Sequence, residues 1–185
     1  MPKVKPIFIT GNPEKAEHFA RLSGIDVEHK KLDLDEIQTI DHRELVEHKV
    51  RQAYAATGQA VLVEDVFFNF EAWGGLPGPF VKFFVVAPGG VENMCRMLDG
   101  FDNRRAQAVC MYGYYDGVNL EFFEGSLSGE IAQHPRGERG YGFDRIFIPD
   151  EFGGDRTAAE LTAEEYEQYY TNIKPYSKIA HYLHT

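Results

Sequence analysis

The sequence predicts an α/β protein with a mixed β-sheet. Near the start, strand-like apolar runs at residues 4–10 and 61–63 are separated by helical segments, an alternation typical of parallel strands. Later, two strand-like segments, 106–115 and 118–124, flank Asp116-Gly117, a strong signal of an antiparallel hairpin. A chain with both patterns is expected to build one sheet with parallel and antiparallel pairs.

Composition favours one ordered domain over residues 1–185. The chain has 185 residues, of which 43% are hydrophobic and 26% are charged, with no linker or repeat. Its net charge of -10 argues against a polynucleotide partner, because nucleic acids are bound through basic patches. A small polyanion is compatible with that net charge. One or two lysines, backbone N–H groups and a divalent cation can neutralise the charge of the polyanion locally.

The spacing of the two cysteines and the short apolar run near residue 7 predict a cytoplasmic protein. Cys95 and Cys110 have no CxxC spacing and are expected to be reduced core thiols. The apolar run Ile7–Ile9 is too short for a signal peptide or a membrane span, so no membrane association is expected.

Capping residues and glycines mark the helices. Asn12 and Pro13 begin a helix that closes at Gly24, and Asp41 begins a second helix that stops at Gly58. The remaining elements are expected at 27–34 and 127–132 (strands) and at 80–87, 91–98, 162–170 and from 175 (helices). Three phenylalanines of the third helix are expected in the core: Phe80, Phe83 and Phe84.

The first candidate site is the turn from Thr10 to Lys15. A strand, a small-residue turn and a helix start can bind phosphate, because free N–H groups and the helix dipole both face the turn. A plain strand-to-helix connection explains the same residues. Lys49, off the apolar stripe of the second helix, is expected in solvent unless it reaches toward phosphate.

The second candidate site is the acidic pair Glu64-Asp65, expected at the end of the strand that begins at Val61. Carboxylates at such an end can hold a metal ion or a water molecule, and solvent exposure is the simpler alternative. The loop 74–79, with three glycines and two prolines, follows them. The acidic segment 33–36 is either surface or the source of a metal ligand.

The third candidate site is Tyr141-Gly142-Phe143-Asp144. Two aromatic rings and an acid can stack a planar base and hydrogen-bond its edge, although aromatic residues before a strand are also typical core residues. The tyrosines Tyr112, Tyr114 and Tyr115 fit either a subunit contact or a half-buried sheet face. A phosphate turn, an acidic pair and an aromatic pocket together describe a nucleotide site.

Four motifs, in this order, resemble the inosine triphosphate pyrophosphatase family: Thr10-Gly-Asn-Pro-Glu-Lys15, Glu64-Asp65 with the loop 74–79, Gly140-Tyr-Gly-Phe-Asp144, and Thr157-Ala-Ala-Glu-Leu-Thr162. The resemblance implies an elongated protein of two lobes with a central substrate cleft, and a homodimer. It also implies Mg²⁺-dependent hydrolysis of non-canonical purine nucleoside triphosphates, such as ITP, dITP and XTP, to a monophosphate and pyrophosphate.

The resemblance also implies roles for individual residues. Thr10, Gly11, Asn12 and Lys15 would hold the triphosphate, with Lys49 as a further phosphate contact. Asp65 would be the general base and a metal ligand, and Glu36 and Glu64 would be further metal ligands. The pocket for the base would be lined by four residues: Tyr141, Gly142, Phe143 and Asp144.

The sequence departs from the family pattern at two places. Val66 follows the acidic pair where the family usually has Ser or Thr. Near the carboxyl terminus, Lys174-Pro-Tyr-Ser177-Lys178-Ile179 stands where the family has Lys followed by Ser-His-Arg, so Lys174, Ser177 and Lys178 are the candidates there. The alternatives are a pyrophosphatase for another triphosphate, pyrimidine or modified, and a nucleotide-binding protein with impaired catalysis.

Overall fold

The computed structural model describes residues 5–140 and 142–184. These form one sheet of seven strands with helices. The strands are β1 (Ile7–Ile9), β2 (His29–Lys30), β3 (Val61–Phe70), β4 (Pro77–Gly78), β5 (Arg105–Tyr115), β6 (Leu120–Ile131) and β7 (Phe147–Pro149). The helices are α1 (Pro13–Ser23), α2 (His42–Thr57), α3 (Val81–Val86), α4 (Gly90–Arg96), α5 (Ala163–Ile173) and α6 (Tyr176–His184).

The sheet is mixed, as predicted. Its strands lie in the order β2-β1-β3-β5-β6-β7, and β4 pairs with β3 outside this path. β1 pairs in parallel with β2 and β3, whereas β3–β4 and β6–β7 are antiparallel pairs. The parallel strands therefore come from the helix-separated first part of the chain.

Local signals placed the first two helices correctly. Asn12 accepts a hydrogen bond from Glu14 N (2.9 Å) ahead of α1, and Asp41 caps α2 in the same way. Gly24 and Gly58 close the two helices in the left-handed conformation that glycine adopts most easily. The Asp116-Gly117 hairpin is also present, with Asp116 Oδ1 accepting from the backbone N–H groups of residues 118 and 119.

Three predictions about the later elements were wrong. β3 does not end at Glu64-Asp65 but continues to Phe70, so both acids lie inside a strand. The separate strands expected at 118–124 and 127–132 are one strand, β6, because its inward positions stay apolar throughout. Phe83 is 62% exposed, since α3 has only six residues and buries few of its side chains.

The chain divides into two compact units. The first comprises the described residues up to Asp65, with Cys110–Gly125 and the residues from Lys174; the second comprises Val66–Val109 and Ser126–Ile173. An aromatic cluster fills part of the first core: Phe8, Phe19, Tyr112 and Tyr176. In the second unit, the fully buried Phe68 contacts Phe70 and Phe147 edge-on.

A close helix–strand contact fixes α2 on the first unit. Gly113 of β5 lies under this helix, where an added Cβ would be 2.7 Å from Val46 Cγ1. Val46 and Val50 are fully buried there. Glycine is thus required for the approach that holds α2, and with it Lys49, near β3.

Both cysteines, Cys95 and Cys110, are free and buried, as the sequence predicts. Burial raises the pKa of the Cys110 thiol to about 12 despite the nearby Lys174 ammonium, so this thiol stays protonated. Among residues 5–140 and 142–184, none of the helices combines the length and apolar character needed to cross a membrane.

Candidate functional site

Glu64 is the centre of a buried polar cluster in the first unit. Its Oε1 accepts hydrogen bonds from Lys15 Nζ (2.9 Å) and Lys174 Nζ (3.0 Å), and its Oε2 accepts one from the Tyr112 hydroxyl. The side chain of Glu64 is only 2% exposed. Burial alone would raise the pKa of Glu64, but the two ammonium groups and the hydroxyl outweigh it and hold the pKa below its usual range.

Four segments of the chain supply this cluster, which we call the Glu64 cluster: Lys15, Glu64, Tyr112 and Lys174. Lys15 comes from the first turn of α1, and Lys174 lies between α5 and α6. α1 packs against α6, so these two elements approach β3 from one side. The cluster contains two ammonium groups and one carboxylate, and it therefore carries a surplus of one positive charge.

Asp65 is the centre of a second polar cluster. Its Oδ2 accepts a hydrogen bond from Lys49 Nζ at 2.6 Å, and the same ammonium donates to Glu36 Oε1 at 3.1 Å. Successive residues of a strand point to opposite faces, so Asp65 meets α2 while Glu64 meets α1 and Lys174. We call this group the Asp65 cluster: Glu36, Lys49 and Asp65.

Exposure differs sharply across the Asp65 cluster. The side chains of Lys49, Asp65 and Glu36 are 13%, 18% and 52% exposed, respectively. The expectation that Lys49 is solvated was therefore wrong, because two carboxylates hold it against the sheet. Burial would lower the pKa of Lys49, but Asp65 and Glu36 outweigh it, and the lysine stays charged with a raised pKa.

The turn from Thr10 to Lys15 has the geometry of a capped helix start. Thr10 Oγ1 accepts from Asn12 N (3.1 Å), and Gly11 and Asn12 are exposed. Gly11 lies beside the aliphatic chain of Lys31, whose Cδ would be 3.4 Å from an added Cβ. Sequence reasoning missed Lys31 because it follows the two-residue strand β2, where no motif marks it.

The predicted base-binding segment lies in the second unit. Tyr141 is outside the described residues. Phe143 stacks on Phe68 with ring centroids 4.0 Å apart and planes 7° apart. The buried Asp144 accepts hydrogen bonds from the hydroxyls of Tyr166 (2.7 Å) and Tyr169 (3.0 Å) on α5, so both of its oxygens have donors within the protein.

The carboxy-terminal candidates fall into different environments. Lys174 belongs to the Glu64 cluster and its side chain is 5% exposed. Ser177 and Lys178, in the first turn of α6, are exposed. Lys178 Nζ donates to the backbone oxygen of Glu124 on β6 at 2.7 Å, as expected of a lysine on the surface.

The structure thus brings together some predicted residues and adds one. Lys15, Glu64 and Lys174 meet in one cluster, and Glu36, Lys49 and Asp65 meet in another. Gly142, Phe143 and Asp144 lie in the other unit. Sequence reasoning considered Tyr112 only as part of a subunit contact or of a half-buried sheet face. Its spacing of two residues from Cys110 and from Tyr114, which puts all three on one face of the strand, was the available signal.

The described residues contain no group of three or more His, Cys, Asp or Glu side chains that could hold a metal ion. The Asp65 cluster nevertheless places two carboxylates around one cationic group, the Lys49 ammonium. Mg²⁺ is commonly bound through one or two carboxylates, with substrate phosphates and waters as the other ligands. Glu36 and Asp65 therefore fit such an ion, whereas Glu64 uses both of its oxygens within its own cluster.

Comparison with known proteins gives consistent results. The sequence model of the Ham1 family matches residues 6–181. The chain is 42% identical over 166 residues to inosine triphosphate pyrophosphatase 1 of Trypanosoma cruzi, covering 87% of this chain and 83% of the relative. It is 39% identical over 166 residues to the dITP/XTP pyrophosphatase of Methanopyrus kandleri, covering 88% and 87%. The structure of a HAM1 protein from Coxiella burnetii superposes with a TM-score of 0.84 at 21% identity, covering 97% of this chain and 98% of that one.

Proposed function

Because the chain belongs to the Ham1 family, we propose that it hydrolyses non-canonical purine nucleoside triphosphates, ITP, dITP or XTP, to the monophosphate and pyrophosphate. The observation that carries the proposal is the pairing of the two clusters on consecutive residues of β3. One cluster offers ammonium groups suited to a triphosphate, and the other offers a partly exposed carboxylate suited to activating water.

Triphosphate binding is assigned to the Glu64 cluster and the turn before α1. Lys15 and Lys174 supply two ammonium groups with a surplus of positive charge. The backbone N–H groups at the start of α1 and the helix dipole add to the attraction for an anion at Gly11 and Asn12. Charge on the leaving pyrophosphate is stabilised by the same groups as the bond breaks.

The general base is assigned to Asp65. The side chain of Asp65 is 18% exposed, so water can reach its carboxylate. Lys49 Nζ lies 2.6 Å from Asp65 Oδ2 and fixes the orientation of the carboxylate. In this role Asp65 accepts a proton from the water that attacks the α-phosphorus, and the bond between the α-phosphorus and the oxygen that joins it to the β-phosphate breaks, so that pyrophosphate leaves with that oxygen. The pKa of Lys49 is raised by Asp65 and Glu36, which outweigh burial, so the ammonium stays charged beside this carboxylate.

Mg²⁺ is the proposed cofactor, with Glu36 and Asp65 as its protein ligands. When bound, the ion would neutralise phosphate oxygens and lower the cost of charge on the leaving group. Lys49 keeps the two carboxylates together when no ion is present, because its ammonium contacts both. We further propose a homodimer that works in the cytoplasm; reduced, buried cysteines suit a reducing compartment.

The departure near the carboxyl terminus supports a second candidate, a pyrophosphatase of the same fold that accepts another nucleoside triphosphate. Lys178 and Ile179 stand where the family has His-Arg, so the contacts that read a keto purine differ here. A nucleotide-binding protein without turnover is the third possibility to be separated by the same measurement.

The test is a panel of ITP, dITP, XTP, GTP, ATP, CTP and UTP with Mg²⁺, in which both products are identified. We expect pyrophosphate and the monophosphate, with the largest kcat/KM for ITP, dITP or XTP. Release of orthophosphate and a diphosphate would contradict the proposed cleavage. Binding without any product would indicate the nucleotide-binding alternative, and a preference for a pyrimidine would favour the second candidate.

A further inference from the structure

Glu64 differs from its neighbour Asp65 in two properties that matter for a metal ligand, its exposure and the face of β3 on which it lies. Its side chain is 2% exposed, against 18% for Asp65 and 52% for Glu36. Mg²⁺ usually keeps several water ligands, which an almost fully buried carboxylate excludes. The two acids also point to opposite faces of β3, so one ion cannot easily bind both.

The contacts of Glu64 are those of an anchor for cations. One oxygen accepts from two ammonium groups, at 2.9 and 3.0 Å, and the other accepts from the hydroxyl of Tyr112, which is fully buried. The phenol sets the orientation of the carboxylate, and the carboxylate sets the positions of the two lysines. Lys15 and Lys174 come from segments separated from Glu64 by 49 and 110 residues, so no local structure holds them together.

We propose that Glu64 is a positioning residue that holds Lys15 and Lys174 at the spacing the triphosphate requires, with Tyr112 fixing its orientation. This inference rests on the proposed function, because it concerns the phosphate-binding part of that site. Glu64 then acts through the lysines and neither binds the metal ion nor touches the reacting atoms.

This role makes a counter-intuitive prediction about charge. Removing a carboxylate from an anion site ordinarily strengthens anion binding, because a competing negative charge is lost. If Glu64 positions the lysines, its removal has the opposite effect, because two ammonium groups lose their shared acceptor and move apart. The direction of the change therefore separates an anchor from a mere competitor.

The experiment measures binding of inorganic pyrophosphate by calorimetry in EDTA, without any divalent cation. Glu64→Gln is expected to weaken binding about tenfold or more, because both ammonium groups lose a charged hydrogen-bond acceptor. Asp65→Asn is expected not to weaken it, because Asp65 lies in the other cluster. Glu17→Gln, at an exposed position of α1, is the matched control for the loss of one negative charge.

A second measurement separates positioning from metal binding. At saturating nucleotide, Glu64→Gln is expected to leave the Mg²⁺ concentration that gives half the maximal rate within about threefold of the wild-type value. When nucleotide is varied instead, KM for nucleotide is expected to rise about tenfold. A raised Mg²⁺ requirement with unchanged metal-free pyrophosphate affinity would overturn the inference and make Glu64 a metal ligand. Tighter pyrophosphate binding would also overturn it.

Tyr112→Phe keeps the experiment decisive if Glu64→Gln does not fold. The ring stays in the core and only the hydroxyl is lost, so a smaller loss of pyrophosphate affinity, about threefold, is expected with an unchanged Mg²⁺ requirement. Unchanged affinity in Tyr112→Phe, where Glu64→Gln cannot be measured, would overturn the inference. A wild-type protein that releases no pyrophosphate would contradict the proposed function, whereas normal wild-type turnover with unaltered affinity in Glu64→Gln contradicts this inference alone.

Discussion

Substituting Gly113 by alanine tests how closely α2 must approach the sheet. The new Cβ would be 2.7 Å from Val46 Cγ1 and 3.5 Å from both Val50 Cβ and Val63 Cγ2. Carbon atoms prefer separations of about 3.5–4.0 Å, so Val46 or the helix must move by about 1 Å. Val46 is fully buried and β-branched on a helix, and such a side chain has one strongly preferred rotamer. The helix itself is therefore expected to move.

Overpacking of this kind costs about 1–3 kcal/mol. For a protein of this size each kcal/mol lowers Tm by about 2–4 °C, so Gly113→Ala is expected to lower Tm by about 2–12 °C. Val46→Ala removes the clashing methyl and costs about 1.5–2 kcal/mol by lost burial. In the double variant the clash is absent. Its loss of stability should therefore be smaller than the sum of the losses in the two single variants, by about 1 kcal/mol or more.

Thermal and denaturant unfolding, followed by circular dichroism, measure these differences. Gly100→Ala is the matched control, because an added Cβ at Gly100 has no atom within 4 Å, and its Tm is expected to stay or rise slightly. Lys49 moves with α2, so kcat/KM of Gly113→Ala should also fall. An unchanged Tm in Gly113→Ala, or strictly additive costs in the double variant, would show that α2 does not rest on this glycine.

Three further predictions concern the site and the pH dependence. Asp65→Asn is expected to keep the fold and lower kcat by about 10²–10⁴-fold, since the amide cannot act as a base; rates within tenfold of wild type would place the base elsewhere. Lys178→Ala is expected to leave the preference for ITP over ATP, measured as the ratio of kcat/KM, unchanged, because Lys178 is exposed and donates to the backbone oxygen of Glu124; a narrowed ratio would assign base recognition to Lys178. The Arg156 guanidinium lowers the pKa of Glu165 from 4.5 to about 2. The folded chain therefore binds that proton less readily than the unfolded chain, and the stabilisation is present above pH 4.5 and lost as pH falls toward 2. Glu165→Gln should flatten the free energy of unfolding against pH in that window, and an unaltered slope would exclude the ion pair as its cause.

Local chemistry explains which parts of the fold were predictable. The caps at Asn12 and Asp41 and the turn at Asp116-Gly117 depend on residues two or three positions apart, so the sequence displays them directly. The sheet class followed from these elements, because helices between the first strands require parallel pairing and the hairpin adds an antiparallel pair.

The clusters were less predictable, because their members are distant in sequence. Two consecutive acids appeared to end a strand, since an isolated carboxylate inside a sheet is costly. β3 continues through them because Lys15, Lys174 and Lys49 neutralise both acids from other elements. A pattern over ten residues cannot show partners that lie 16, 49 and 110 residues away.

The distance between Glu64 and Lys174 also has a consequence in time. A ribosome adds about 5–20 residues per second, so roughly 5–20 s separate the synthesis of these two residues, which are 110 positions apart. Throughout that interval Lys15 and Glu64 can pair, but the Glu64 cluster lacks its second ammonium group, that of Lys174. A nascent chain that has not yet received Lys174 is thus expected to bind nucleotide weakly, which leaves substrate out of the folding pathway until Lys174 has been added.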